Sequence, residues 1–296
     1  MFDEIIGNDR IKNQLKQAVD LNKTSHSYLF LGISGIGKNM IAKEFAKMIL
    51  CQGEQKYCNY CKSCIEFDSN NNPDFQLIEP DGASLKIEQI RQMQKKIIEA
   101  PIISNKKVYI IDDADLMTTE AQNCLLKTLE EPPEFVTIIL IGSKENNFLS
   151  TIKSRCTIIK FQDIENESIK QYLAQNYGVS DVSENMLDIF AGSIGKAESL
   201  KDKQELYNNI IEIIEKIRTL DLIDILKKAD IIYKSQDEKN DILEGINVIL
   251  FKKSRQDIRY LNCIQIVEDT KKRLNTNANY NMCIDNMLFK IWEEMH

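Results

Sequence analysis

Over residues 1–162, short apolar runs alternate with stretches whose apolar positions recur every three or four residues. The runs 27–31, 75–79, 107–111, 135–141 and 157–161 are short and rich in β-branched and aromatic residues, which predicts strands. Helical spacing covers 38–50, 86–99 and 118–131, and Pro132-Pro133 stops the third of these before the next strand. Alternation of this kind predicts a parallel sheet covered by helices. Beyond residue 163 the strand signal fades. Residues 164–203 read as short helices broken at Gly192-Ser193-Ile194-Gly195, and from Leu206 onward Ile210, Ile213, Ile214, Ile217 and Leu220 form one apolar stripe. The expected division is an α/β domain over 1–162, a small helical domain over 163–204 and a helical C-terminal domain over 205–296.

Composition narrows the function classes. The 296 residues are 43% hydrophobic and 28% charged, as in ordinary globular proteins, and the net charge of −7 gives no broad nucleic-acid surface. Any DNA contact should therefore be local or shared with partners. No basic-then-apolar leader is evident at the start, and the longest strongly apolar run, Phe135–Ile141, is too short to cross a bilayer. The expectation is a cytoplasmic chain with no membrane partner. Its eight cysteines then read as thiols or metal ligands rather than disulfides.

Two segments carry candidate chemistry. Gly32-Ile33-Ser34-Gly35-Ile36-Gly37-Lys38-Asn39 follows the first strand and opens a helix. It fits the phosphate-loop pattern, in which backbone N–H groups wrap phosphates, a lysine reaches the outer phosphates and a Ser or Thr hydroxyl holds magnesium. The last position departs from the pattern, because Asn39 stands where the hydroxyl belongs. Next, Cys51, Cys58, Cys61 and Cys64 are spaced C-x6-C-x2-C-x2-C. Four thiolates this close suit a structural, tetrahedral zinc with no open coordination position. An iron–sulfur cluster or free thiols are the alternatives that the spacing leaves open. Cys124, Cys156, Cys263 and Cys283 are scattered and read as small buried hydrophobes. With His26 and His296 the only histidines, a Ser-His or Cys-His pair has little support.

Further along, Val108-Tyr109-Ile110-Ile111-Asp112-Asp113-Ala114-Asp115 is a strand ending in acids, similar to a Walker B segment. It is followed by Asn123-Cys124-Leu125-Leu126-Lys127-Thr128-Leu129-Glu130-Glu131-Pro132-Pro133 and by Ser154-Arg155-Cys156. Together with Ile6-Gly7-Asn8 and with Leu274, Asn277, Ala278 and Asn279, this order resembles the bacterial clamp-loader AAA+ family along essentially the whole chain. The resemblance implies an AAA+ P-loop domain with an inserted zinc module at 51–64, a helical lid and an all-α collar. It also implies a DNA polymerase III loader assembled from delta, delta-prime and gamma/tau subunits, which places a sliding clamp on primed DNA.

Within that family, the departures from the ATP-hydrolysing motor pattern point to the delta-prime branch. Asn39 replaces the magnesium-holding hydroxyl, and Asp113 stands where the motor has a water-activating glutamate. Gly195 occupies the place of an arginine that contacts the γ-phosphate, with Lys196 beside it. Of the two sensor threonines, Gly142 and Ser143 keep only one hydroxyl. Gly32, Gly35, Gly37, Lys38, Asn39, Asp112, Asp113 and Ser143 thus outline a degenerate nucleotide site at which ATP and magnesium are doubtful. By the resemblance, Arg155 projects into a neighbour's ATP site, where a guanidinium stabilises the transferring phosphoryl group. The motor subunit itself, or a zinc-stapled P-loop module of another DNA-maintenance complex, are the rival readings.

Overall fold

The five apolar runs of the first half become strands because each can be buried by neighbours on both sides. In the computed structural model, which describes all residues except Met1, Asp3, Glu4 and Asn277, they are β1 (Ser27–Leu31), β2 (Phe75–Ile78), β3 (Lys107–Ile111), β4 (Val136–Gly142) and β5 (Thr157–Lys160). They form one sheet in the order β2-β3-β4-β1-β5, with every adjacent pair parallel. Every position of β1, β3 and β4 is buried, as a parallel sheet covered on both faces requires. Around it run α1 (Asp9–Asp20), α2 (Lys38–Leu50), α3 (Lys62–Asp68), α4 (Ile87–Ile97), α5 (Thr119–Glu130) and the short α6 (Ser150–Lys153).

One face of the sheet presents Leu29, Leu31, Ile138 and Leu140 to Ile90 and Met93 of α4 and to Leu125 and Leu129 of α5. On the other, Tyr28 meets Phe45 of α2 edge-on at 5.2 Å, and Phe30 lies against Phe161 at 5.3 Å. Side chains of this size each contribute roughly 1.5–3 kcal/mol on full burial, so these two layers define the core. The register pairs Leu31 with Gly142 and Ile111 with Leu140. The residues that follow β1, β3 and β4 (Gly32, Asp112 and Ser143) therefore emerge side by side at the carboxyl edge, the place where open α/β sheets build ligand crevices.

The strands at 27–31 and 107–111 and the helix at 38–50 fall on the expected residues. β4 starts one residue late and takes in Gly142, while α4 and α5 are shorter at both ends than the pattern suggested. Both α1 and α3 lie outside the expected set. α1 buries Ile11, Leu15 and Val19 at four-residue spacing. α3 follows the cysteine segment and is tied to the sheet domain by a buried polar network. In it, Asn72 donates to the Ser63 backbone oxygen at 2.9 Å, the Ser63 and Ser104 hydroxyls lie 2.9 Å apart, and Ser104 donates to the Leu50 carbonyl at 2.8 Å. Asp74, buried, accepts backbone N–H groups from Ile102, Ile103 and Ser104, each at 2.7 Å.

The chain separates into two compact units, residues 1–168 with 193–195, and 169–192 with 196–296. The second is entirely helical: α7 (Asn166–Tyr177) leads into it, followed by α8 (Glu184–Phe190), α9 (Ile194–Leu200), α10 (Gln204–Lys216), α11 (Leu222–Lys228), α12 (Asp230–Tyr233), α13 (Lys239–Ser254), α14 (Arg259–Leu274) and α15 (Tyr280–Met295). The stripe buries Ile210, Ile213 and Ile214 in α10, but that helix stops at Lys216; Ile217 is buried in the following turn and Leu220 is half-buried beyond it. α13 packs closely on α10 because Gly245 has no side chain: a Cβ there would meet the Tyr207 ring at 2.7 Å. Cys263 and Cys283 are buried, as expected of small apolar side chains. Leu274 ends α14, and the Asn279 side chain caps α15 by accepting the Met282 N–H at 3.1 Å. Asn277 of the same motif lies outside the described residues. No helix among the described residues is long and apolar enough to cross a membrane.

Candidate functional site

Between the end of β1 and the start of α2, the chain must turn sharply and leave its amides facing outward. Gly35 and Gly37 do this at φ +74° and +93°, in the left-handed region that favours glycine. The loop has a lid of backbone from its own unit. Gly195 N–H donates to the Gly35 carbonyl at 2.9 Å, and the Ser193 hydroxyl donates to the Ser34 carbonyl at 2.8 Å. A Cβ on Gly195 would meet Gly35 Cα at 2.9 Å, so no side chain fits at the position where the motor pattern has an arginine. Lys38 is buried at the helix start. Its ammonium donates to the carbonyls of Gly32 and Ile33, both at 2.8 Å, and to the Ser143 hydroxyl at 3.3 Å. Burial lowers its pKa from the ordinary lysine value, against the pull of Asp112, Asp113 and Asp115.

The misfit residue Asn39 has a definite partner: its amide nitrogen donates to an Asp112 carboxylate oxygen. In the phosphate-loop pattern a magnesium ion bridges these two positions. Here the carboxylate is satisfied by an N–H donor, which offers a cation no lone pair. In this arrangement Asn39 turns its N–H, not its Oδ1, toward the position magnesium takes in the pattern, and it lacks the hydroxyl that the pattern uses there. Asp113 is held at φ +44° and is exposed. Desolvation by the chain around it, then the carboxylates of Asp112 and Asp115, push its carboxyl above the usual range.

Asp115 has a role that no motif marks. Its carboxylate accepts the backbone N–H groups of Ser143 at 3.2 Å and Lys144 at 3.1 Å, and its carbonyl accepts from the Asn147 side chain at 3.2 Å. It fastens the end of β4 and so sets where the Ser143 hydroxyl meets Lys38. Gly142 has no room for a threonine side chain, since a Cβ would lie 2.6 Å from the Phe148 ring and 3.0 Å from Asp115. Lys196 belongs to the second unit, with its ammonium 3.4 Å from Glu244.

The four cysteines come together with their sulfurs within 4.8 Å of one another. Cys51 and Cys64 are buried, Cys58 and Cys61 half-buried. The Cys51 and Cys58 sulfurs are 3.6 Å apart, close to the roughly 3.8 Å edge of a tetrahedron with bonds of about 2.3 Å to zinc. Backbone N–H groups point at the sulfurs, from Cys58 to Cys51 at 3.4 Å and from Cys61 to Cys58 at 3.3 Å, an arrangement that favours thiolate. Burial raises the Cys61 thiol, but backbone hydrogen bonds from Gln52 and Cys64, together with neighbouring thiols, bring it down to about 6. Gly53 permits the close fold-over, because a Cβ there would lie 2.8 Å from that of Cys58. The cluster could hold a metal ion, and its all-sulfur donors suit zinc.

Arg155 lies elsewhere. Its carbonyl accepts the hydroxyl of Ser27, the first residue of β1, at 2.7 Å. The phosphate loop leaves the other end of that strand, about 16 Å away at roughly 3.3 Å per residue. An arginine side chain cannot span this distance, so Arg155 cannot serve the loop of its own chain. Its Nη1 donates to the Thr151 carbonyl at 2.9 Å and its Nη2 to the Glu130 carboxylate. Glu130 was visible only as part of a motif; nothing in the sequence marked it as this arginine's partner. The structure thus gathers the loop, Asn39, Asp112, Asp113 and Ser143 at one edge of the sheet and leaves Arg155 at the opposite edge. Replacing Asp115 with alanine should leave two backbone N–H groups unpaired and lower unfolding stability by ~1–3 kcal/mol, read by urea denaturation.

Comparison with known proteins shows the family of the chain. The family model for DNA polymerase III, delta subunit, matches residues 7–165. The delta' subunit of DNA polymerase III from Bacillus subtilis is 34% identical over 210 residues, which is 70% of this chain and 63% of the relative. The tau subunit of the same organism is 33% identical over 265 residues, 84% of this chain and 46% of the relative. The chain therefore spans less than two thirds of the length of either relative. Among solved structures, a DNA polymerase III gamma subunit-related protein from Thermotoga maritima aligns over 96% of this chain and 100% of its own at 16% identity, with a TM-score of 0.51, a likeness of fold. With more than half of its length matched by that family model, the chain belongs to the DNA polymerase III delta-subunit family of clamp-loader AAA+ proteins.

Proposed function

We propose that this chain is a delta-prime-type subunit of a bacterial DNA polymerase III clamp loader. It would assemble with delta and gamma/tau subunits in the cytoplasm and help place a sliding clamp on primed DNA. Residues 163–204 would act as the lid and 205–296 as the collar that joins the subunits. The observation that carries this reading is the Asn39–Asp112 hydrogen bond, which joins the two positions that hold magnesium in the phosphate-loop pattern. The backbone lid at Ser193–Gly195 supports it, because it excludes the arginine a motor subunit needs there. On this reading the phosphate loop is scaffold, and the chain's share in hydrolysis is Arg155, delivered in trans.

The position of Arg155 at the far end of β1 from its own loop favours that division of labour. A guanidinium delivered to a phosphoryl-transfer site raises the rate by roughly 10³–10⁵ in other nucleotide hydrolases. The rival reading, a gamma/tau-type motor, has its own observation in its favour: the tau relative aligns with more of the chain than the delta' relative does. It requires steady ATP hydrolysis by the pure chain. A module of some unrelated complex would instead fail to associate with delta or gamma/tau.

The cysteine cluster, on this reading, holds one structural zinc that staples the segment between α2 and α3. Metal analysis of the purified chain should find one zinc per molecule, and Cys58→Ser should abolish it and open residues 51–64 to proteolysis; a fully folded, metal-free segment would contradict the assignment. In a loader reconstituted with its partner subunits, Arg155→Ala should lower clamp-dependent ATPase well over ten-fold at the site it serves, while Lys38→Ala should change it less than two-fold. The reverse pattern would overturn the assignment.

A further inference from the structure

Arg155 has a partner in its own chain that the proposed activity leaves unexplained. Glu130 is the last residue of α5, and its carboxylate receives Nη2 of Arg155. The Thr151 carbonyl takes Nη1 at 2.9 Å, and the Ser154 hydroxyl lies 3.4 Å from the same nitrogen. The two side chains are 32% and 48% exposed, and a pair this open contributes little to folding stability. The helix itself does not favour an acid here, since the C-terminal end of a helix carries partial negative charge and Glu131 adds another carboxylate.

What the pair does supply is orientation. A free arginine side chain has four flexible torsions, and anchoring both terminal nitrogens fixes the plane of the guanidinium. Nη1 is engaged by the Thr151 carbonyl and the Ser154 hydroxyl and Nη2 by Glu130, so Nε–H and one N–H of Nη2 stay available to an incoming phosphoryl group. The carboxylate is presented from firm ground: Leu129 beside it is buried, α5 is capped at its start by Thr118, and Pro132 follows after Glu131.

We propose that Glu130 is a positioning residue that holds Arg155 in the geometry it needs at a neighbouring subunit's nucleotide. The proposal rests on Arg155 acting in trans and adds the residue through which this chain presents it. Misplacing a reacting or stabilising group by about 1 Å can cost on the order of 10²-fold in rate, so loss of the one anchor on Nη2 should be felt in kcat.

The test uses the full-length chain in a reconstituted loader, with clamp and primed DNA, and follows ATPase against ATP concentration. Glu130→Ala should lower kcat about ten-fold with KM changed less than about two-fold. Glu130→Gln keeps an acceptor oxygen and should recover kcat to within about three-fold of the parent. On an Arg155→Ala background, Glu130→Ala should add less than about two-fold, because the two act as one unit. Unfolding midpoint and subunit assembly should not change in any variant. An unchanged or raised kcat in Glu130→Ala, with Arg155→Ala still impaired, would overturn the positioning role alone. Additive losses in the double variant would overturn it as well. If Arg155→Ala leaves the ATPase intact, the trans reading falls and this inference falls with it.

Discussion

The side-chain amide of Asn39 hydrogen-bonded to the carboxylate of Asp112 governs how the carboxyl edge of the sheet can be used. In a phosphate-loop enzyme these two positions hold a divalent cation, whose charge offsets that of the nucleotide phosphates. An amide N–H satisfies the same carboxylate without any cation. The ammonium of Lys38 is likewise taken up by loop carbonyls and by Ser143, which Asp115 holds in place through the backbone of β4. These hydrogen bonds tie Lys38, Ser143, Asn39 and Asp112 together at the edge, while the amides of the loop still face outward.

The same sheet keeps the loop and Arg155 apart. β1 links them as a rigid spacer, with the loop at its carboxyl end and the Arg155 backbone bonded to Ser27 at its amino end. A group that cannot reach its own nucleotide loop yet stays partly exposed and anchored is placed for a surface interaction.

Much of the core was legible because burial leaves a one-dimensional trace. β1 and β3 are unbroken apolar runs, and α2 carries its helical spacing from the residue after Gly37. β4 was misplaced by one residue because Phe135, though apolar, precedes the ladder, whereas Gly142 pairs with Leu31. α1 had a readable stripe in Ile11, Leu15 and Val19, but charged residues dilute it. Motifs marked the loop, Asp112, the four cysteines and Arg155, and the fold brings the loop to Asp112 and the four sulfurs to one another. Roles made by contacts between distant segments left no such trace. Asp115 looked like one more acid in an acidic turn, and its purpose shows only when β4 ends beside it. Glu130 sits 25 positions from Arg155 and becomes its partner only through the packing of α5 and α6.

The most direct test of this account is nucleotide titration of the isolated chain, with magnesium and again with chelator, followed by assay for released phosphate. If the Asn39–Asp112 bond has taken the metal's place, any ATP affinity will be the same in both titrations, and no phosphate will be released above the blank. Tight binding that appears only with magnesium, accompanied by steady phosphate release, would contradict it.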